Sequence, residues 1–69
     1  MQNRVNSKAM LLTVEQTAEY LGLAISTLNN WRHNGEGPGF IKLGRAVRYR
    51  QSDLDAYIEL QYQNCTASV

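Results

Sequence analysis

The chain has 69 residues, which is the size of one small domain. A chain of this length buries only about 60% of the surface that its unfolded form exposes, so we expect a small core. The single Cys65 excludes an internal disulfide, and one histidine with one cysteine excludes a cysteine-rich metal site. An apolar core with a free thiol suits a reducing cytoplasm, where we expect the protein to reside.

The two ends of the chain are polar and show no helical or strand periodicity. No apolar run approaches the ~20 residues of a membrane span, and the N-terminal segment is too polar for a signal peptide. We therefore predict a flexible arm over residues 1–10, a folded domain over residues 11–61 and a flexible tail over residues 62–69.

Charge is unevenly distributed along the chain, although the net charge is only +1. Between residues 29 and 50 there are five cations and one acid, a local balance of +4. These cations are Arg32, Lys42, Arg45, Arg48 and Arg50. Segregation of this kind is typical of a surface that binds a polyanion such as nucleic acid.

A first helix is predicted to begin after Thr13, because Thr13 and Gln16 have the spacing of a capping box. Gly22 is suited to end this helix in the left-handed conformation. The predicted buried stripe, at spacings i, i+4 and i+7, consists of Val14, Ala18 and Leu21.

A helix–turn–helix motif is indicated by Ala18, Gly22 and Leu28, which have the spacing A-x3-G-x5-L. Two helices that cross at roughly 90–120° need a small residue at their contact, a residue tolerant of positive φ in the turn and an apolar anchor in the second helix. The three residues supply these features in that order.

The second helix is predicted over residues 25–34. Its inward face is expected to consist of Ile25, Leu28 and Trp31. The remaining circumference is small and amide-bearing, and comprises Ser26, Thr27, Asn29, Asn30, His33 and Asn34. Because asparagine is a poor helix former, two adjacent asparagines favour a functional explanation.

A glycine-rich bend at residues 35–39 leads to a predicted β-hairpin over residues 40–50, with a two-residue turn at Gly44 and Arg45. The side chains expected to face the core are Ile41, Leu43, Val47 and Tyr49. Those expected to point outward are Lys42, Arg48 and Arg50, with Arg45 at the tip.

A last helix is predicted to be capped by Ser52, with Asp53 and Asp55 in its first turn, where carboxylates favour the positive end of the helix dipole. Its inner stripe is expected to consist of Leu54, Tyr57 and Ile58. We expect fraying beyond about Tyr62. The fold class is therefore mostly α with a small β-hairpin, arranged as a winged helix–turn–helix.

Each polar residue of the second helix has a functional and a structural interpretation. Asn29 and Asn30 can pair bidentately with adenine, or they face solvent or bond back onto the helix. Ser26 and Thr27 can face phosphate or base edges near the helix N-terminus. Alternatively they cap that terminus, because Ala24 offers no side-chain acceptor.

The charged residues also leave alternatives open. Arg32 either reaches a DNA phosphate or braces the wing, and His33 either touches DNA or has no role. The outer cations of the hairpin bind DNA, with Arg45 suited to a narrow minor groove, or they protect an exposed strand edge. We expect the aromatic residues to lie in the core, because a single-stranded binder would expose them. These aromatics are Trp31, Tyr49 and Tyr57.

The chain resembles the excisionase family, a MerR-like winged-helix group of phages, prophages and integrated elements. The resemblance covers about residues 11–60 and is carried by LLTVEQTAEYLGL, by Ser26, Thr27 and Leu28, and by GPGFIKLGRAVRYRQSDLDAYI. It departs from the family pattern at Ala24 and at the asparagine pair. No long dimerisation helix follows Ile58, so effector sensing of the MerR type is not expected.

This resemblance implies a protein that binds double-stranded DNA with the second helix in the major groove and the wing in the minor groove. Family members act as recombination directionality factors or as prophage regulators, so the implied partners are DNA, an integrase and neighbouring copies on the nucleoid of a bacterial host. The candidate DNA-contacting residues are Ser26, Thr27, Asn29, Asn30, Arg32, His33, Lys42, Arg45, Arg48 and Arg50.

The sequence is also compatible with other functions. A plain transcriptional regulator is the alternative within the same class, and the recognition domain of a packaging terminase is another. A protein-binding adaptor that grips an acidic partner belongs to a different class. No catalytic site, metal site or cofactor is expected, because the sequence has no nucleophile–base pair and no cluster of metal ligands.

Overall fold

A computed structural model describes residues 10–67 of the chain. The predicted N-terminal arm therefore lies almost entirely outside the described residues, as do the last two residues of the predicted tail. The elements in chain order are β1 (Leu11–Leu12), α1 (Val14–Leu21), α2 (Ile25–Asn34), β2 (Ile41–Leu43), β3 (Ala46–Arg50) and α3 (Gln51–Ala67). Three helices and a hairpin wing (β2, β3 and the turn between them) confirm the winged helix–turn–helix.

The three strands form one antiparallel sheet in the order β1-β3-β2. Strand β1 was not predicted, because two residues are too few to show an alternating pattern. It pairs Leu12 with Tyr49, and the Gln51 amide donates to the Met10 carbonyl at 3.0 Å. This pairing attaches the start of the fold to the strand that precedes α3.

Helix α1 begins with the predicted capping box. The Gln16 amide donates to Thr13 Oγ1 at 3.1 Å, and the Thr13 amide donates to Gln16 Oε1 at 2.9 Å. The helix ends at Gly22, whose φ of 69° is left-handed and whose amide bonds back to the last turn. The sharp turn into α2 follows directly, as the A-x3-G-x5-L spacing requires.

The core lies where α1, α2, β3 and α3 meet. Leu28, Tyr49 and Leu54 are at most 1% exposed, and Ala18 is also buried. Thr17 is the buried polar residue, and its hydroxyl donates to the Thr13 carbonyl at 2.8 Å. The buried threonine therefore satisfies its own donor within the first turn of α1.

The register of the hairpin corrects the predicted assignment of its faces. The two-residue turn pairs Ile41 with Arg48 and Lys42 with Val47, and directly paired residues in antiparallel strands lie on the same face. Lys42 therefore shares the inner face with Val47 and Tyr49. Leu43, 53% exposed, lies with Ile41 on the outer face, so the prediction that both point to the core was wrong.

The apolar stripes of two helices are also narrower than predicted. Ile25 and Ile58 are each 43% exposed, so neither belongs to the core. The inward side of α2 is formed instead by Leu28 with the half-buried Trp31 and Arg32. Trp31 packs on Tyr57 of α3, with ring centroids 5.9 Å apart.

Helix α3 begins and ends differently from the prediction. It starts at Gln51 directly after β3, so Ser52 lies within its first turn and is not its cap. The helix continues to Ala67, past the expected fraying near Tyr62. Among the helices described, none combines the length and the apolar composition that crossing a membrane requires.

Candidate nucleic-acid interface

The outward face of α2 is a row of three small polar side chains. Ser26, Asn30 and His33 are spaced at i, i+4 and i+7, and all three are exposed. Within the described residues, none of them has a hydrogen bond or ion pair to another side chain. Their donors and acceptors are therefore available to an external ligand.

Thr27 lies apart from this row, toward the side of α2 that packs inward, and it is half-buried. Ala24 at the N-cap makes no side-chain hydrogen bond, as its methyl side chain dictates. Neither Ser26 nor Thr27 replaces that cap with a side-chain bond within the described residues. The capping interpretation of these two residues therefore has no contact that supports it.

Arg32 braces the wing against α2. One of its terminal nitrogens donates to the Tyr49 hydroxyl at 3.1 Å, and the other donates to Asn29 Oδ1 at 2.6 Å. The guanidinium carbon lies 5.9 Å from the centroid of the Phe40 ring, within the range of a cation–π contact. The contacts of Arg32 with Tyr49 and Phe40, which lie on the hairpin side, directly support the interpretation of Arg32 as a brace.

Asn29 is held by this network. Its carbonyl oxygen accepts from Arg32, which fixes the orientation of the amide and leaves the NH₂ group with its two donors. A bidentate contact with adenine uses both the oxygen and the NH₂ group of an asparagine. Asn30 is the amide of the pair that has both groups available within the described residues.

Lys42 and Arg45 are the two wing cations that make no ion pair or hydrogen bond to described residues. Lys42 lies on the inner face of the wing, and Arg45 is exposed in the turn at its tip. The inner face of the wing adjoins α2, so Lys42 lies toward the helix and not with the outer cations. This placement differs from the prediction, which grouped Lys42 with Arg48 and Arg50.

Arg48 and Arg50 lie on the other face of the sheet and have partners within the fold. Arg48 donates to the Val47 carbonyl at 2.8 Å. Arg50 binds both carboxylate oxygens of Asp53 at 3.0 and 3.1 Å. These hydrogen bonds, with the attraction of the carboxylate, raise the pKa of Arg50.

A groove of about 340 Å³ separates α2 from the wing. Its lining combines donors with apolar surface and contains no carboxylate. The lining residues are Asn29, Arg32, His33, Phe40, Lys42 and Val47. Four of the ten candidate residues are thus brought together here, and Ser26 and Asn30 lie on the adjoining face of the same helix.

Two residues of this interface were missed in the sequence. Phe40 lines the groove under Arg32, and Tyr49 supplies the hydroxyl that holds the guanidinium. The signal for Phe40 was present, because alternation along a strand places it on the same side as Lys42, two residues on. The Tyr49 contact depends on where α2 lies in space, which the sequence pattern does not specify.

The model of a family described as a helix-turn-helix domain matches residues 11–61. No curated protein matches the chain at a significant level. The matched range begins with β1 and ends within α3, so it includes both α2 and the wing.

Proposed function

We propose a specific role for this chain, which belongs to the helix-turn-helix domain family and is a DNA-binding helix–turn–helix protein. In this role α2 enters the major groove of a duplex and reads base edges. The wing lies on the adjacent DNA strand, with its tip at the neighbouring minor groove. The protein acts by occupying and deforming DNA.

The observation that supports this proposal is the outward face of α2. Ser26, Asn30 and His33 form a continuous polar row without described partners, and B-form major grooves are wide enough to admit one α-helix. The free cation Lys42 lines the same groove as His33, and Arg45 is exposed at the tip of the wing. A reading surface and a phosphate-binding surface are therefore adjacent.

The residues of the interface divide by role in this proposal. Asn30 and Ser26 contact base edges. Asn29 donates to the DNA through its NH₂ group. Arg45 enters the minor groove, where a narrow groove strengthens the negative potential. Thr27 and His33 are further predicted contacts with DNA. Arg32 is assigned to positioning the wing, and no DNA contact is assigned to Arg48 and Arg50, which keep their partners within the fold.

The physiological output that we propose is architectural, in the manner of a recombination directionality factor of the excisionase family. A single module of this kind buries only about 600–1,000 Å² on DNA, so one copy binds modestly. Neighbouring copies or an integrase would then supply the remaining affinity. Promoter occlusion by a prophage regulator is the alternative output, and the resemblance of the sequence supports both.

Selection from a pool of random duplexes tests the proposal without knowledge of the target. The full chain should enrich one short motif, and footprinting on that motif should protect a major groove with an adjacent minor groove. A bend angle measured on the enriched site would separate architecture from simple occlusion. Retention on heparin without enrichment of any duplex sequence would contradict sequence-specific binding and favour the protein-adaptor alternative.

A further inference from the structure

The groove between α2 and the wing has the composition of a site for an anion. Its polar lining comes from Asn29, Arg32, His33 and Lys42, and its apolar lining comes from Phe40 and Val47. No acidic side chain contributes to it. A volume of about 340 Å³ lies at the lower end of the range of small-ligand sites, about 300–1,000 Å³.

The hairpin register determines which wing cation faces this groove. Lys42 is paired with Val47, and both line the groove. Arg48, the next residue on β3, is paired with Ile41 and lies on the opposite face. The two cations are therefore close along the wing but face different surroundings.

The donors of the groove differ in how far they are already used. Both terminal nitrogens of Arg32 already donate hydrogen bonds, one to Tyr49 and the other to Asn29. The NH₂ group of Asn29 is not used in the contact with Arg32. The ammonium group of Lys42 has no hydrogen-bond or ion-pair partner among the described residues. An incoming anion thus meets one cation without a partner among the described residues and one oriented pair of amide donors.

We propose that this groove holds one backbone phosphodiester of the bound DNA strand, with Lys42 as the cation that neutralises it and Asn29 as a second donor. The deoxyribose carbons pack on Phe40 and Val47. This inference rests on the proposed DNA binding and adds that Lys42, on the inner face of the wing, contacts the phosphate, whereas Arg48 on the outer face does not.

The salt dependence of binding to the selected duplex tests the assignment. Each phosphate neutralised on duplex DNA contributes about −0.9 to the slope of log K against log salt. Lys42→Gln should therefore make the slope shallower by about 0.9, whereas Lys42→Arg should keep it. Arg48→Gln, which removes the same charge from the other face, should leave the slope unchanged.

A methylphosphonate scan locates the phosphate itself. Neutral methylphosphonates replace the backbone phosphates of the selected duplex one at a time, and affinity is measured for the native chain and for Lys42→Gln. One position should weaken the native chain and have no effect on the variant. Circular dichroism of the free variant should match that of the native chain, which excludes loss of its helices as the cause.

Two results overturn the inference. One is an equal change of slope in Lys42→Gln and Arg48→Gln, which would mean that the cations act only through the overall field. The other is a scan in which Lys42→Gln keeps the response of the native chain at every position. Either result leaves DNA binding itself intact, whereas a native chain that binds no duplex overturns both the inference and the proposed function.

Discussion

Asn30 is the member of the asparagine pair of α2 whose hydrogen-bonding groups are all available within the described structure. Its neighbour Asn29 has its oxygen occupied by Arg32, although the two residues have the same chemistry. The difference arises from one step of 100° around the helix, which turns Asn29 toward the wing and Asn30 toward solvent. Adjacent identical residues thus have different functional potential.

We predict that Asn30→Ala lowers affinity for the selected duplex by about 1–3 kcal/mol, the typical value of a bidentate amide–adenine contact. Preference at one base pair should be lost while binding to unrelated sequences stays unchanged. Asn34→Ala is the matched control, because Asn34 is also an exposed asparagine of α2 but lies at its C-terminal end. Uniform weakening on all sequences would assign Asn30 to the backbone instead.

Gly37 illustrates a constraint on a single residue in the bend before the wing. Its φ is 81°, and a Cβ at this position would overlap the Trp31 ring, with Cδ2 2.9 Å away. A larger residue would be strained in the left-handed conformation and would collide with the indole of Trp31. The bend can therefore pass over Trp31 only at a glycine.

We predict that Gly37→Ala destabilises the fold by at least about 1–3 kcal/mol, the usual cost of a strained backbone residue. Gly39→Ala provides the control, because nothing lies within 4 Å of a Cβ built there and its φ is not positive. That variant should stay within about 0.5 kcal/mol of the native chain. Urea unfolding followed by circular dichroism measures both, and equal effects would contradict the packing assigned to Gly37.

Among the elements, α2 and the wing are joined through Arg32. The fork geometry of the guanidinium reaches Tyr49 and Asn29 at once, which the single ammonium of a lysine does not reproduce. The sequence is compatible with two roles for Arg32, a phosphate contact and a brace of the wing. These two roles respond differently to a substitution that keeps the charge.

We predict that Arg32→Lys lowers the free energy of unfolding by about 1–3 kcal/mol, since it leaves a buried tyrosine hydroxyl without its charged donor. The slope of log K against log salt for DNA binding should stay the same, because the charge is retained. Unfolding and salt titrations of one preparation give both values. Native stability in Arg32→Lys would contradict the bracing role, and a shallower slope in Arg32→Gln would assign Arg32 to a phosphate.

Helices α1 and α3 are linked at the surface by Tyr20, whose hydroxyl donates to an oxygen of Asp55 at 2.5 Å. This hydrogen bond raises the pKa of Tyr20 above its ordinary value. The folded state therefore holds the phenol proton more tightly than the unfolded state does. The contribution of the bond to stability is complete below the unfolded-state pKa of tyrosine and is lost as the pH rises through the folded-state value.

We predict that the stability difference between the native chain and Tyr20→Phe is constant at neutral pH and shrinks in the alkaline range. Tyrosines common to both chains cancel in this difference. Urea unfolding at a series of pH values measures it. Because the shift has its largest cause in Asp55, the same comparison made in an Asp55→Asn background should show less alkaline dependence, and an undiminished dependence would contradict the assignment.

Helices α1 and α2 and the turn between them could be predicted from sequence because their signals are local. The capping box, Gly22 and the bounds of α2 each depend on residues within a few positions. The predicted faces of the hairpin are wrong, because alternation within one strand does not define how the two strands pair. A two-residue turn pairs Leu43 with Ala46, so the alternation in one strand fixes that in the other.

The candidate site was less predictable than the fold for a related reason. Apolar residues occur on both faces of the wing, so hydrophobicity alone did not identify the inner one. The contacts of Arg32, Arg48 and Arg50 join residues whose final positions depend on packing or on rotamers. Sequence therefore identified the set of cations, whereas only the structure distinguishes free cations from paired ones.

At the scale of the whole molecule, opposite charges occupy different regions. Five of the six acidic residues lie on α1 and α3, with Glu36 in the bend after α2, whereas the free cations Lys42 and Arg45 lie on the wing. A net charge of +1 thus conceals an uneven field that can orient the protein as it approaches DNA. Association should consequently slow as salt rises, even though the chain is nearly neutral.

We predict that the wing contributes about −1.8 to the slope of log K against log salt, from two phosphates at −0.9 each, and not the −3.6 that four free cations would give. The quadruple Gln variant of the wing cations, compared with a Lys42/Arg45 double variant, measures the difference. The two should have the same slope. A steeper loss in the quadruple variant would show that Arg48 and Arg50 leave their partners to bind DNA.

The Arg32 contact has a mechanical consequence for a bound duplex. Because the guanidinium holds the helix against the hairpin, the protein fixes the distance between the two elements that contact DNA. A duplex whose grooves do not match that distance must itself deform. The deformation energy is smallest for sequences with easily deformed base steps. Selectivity would then extend to base pairs that no side chain touches.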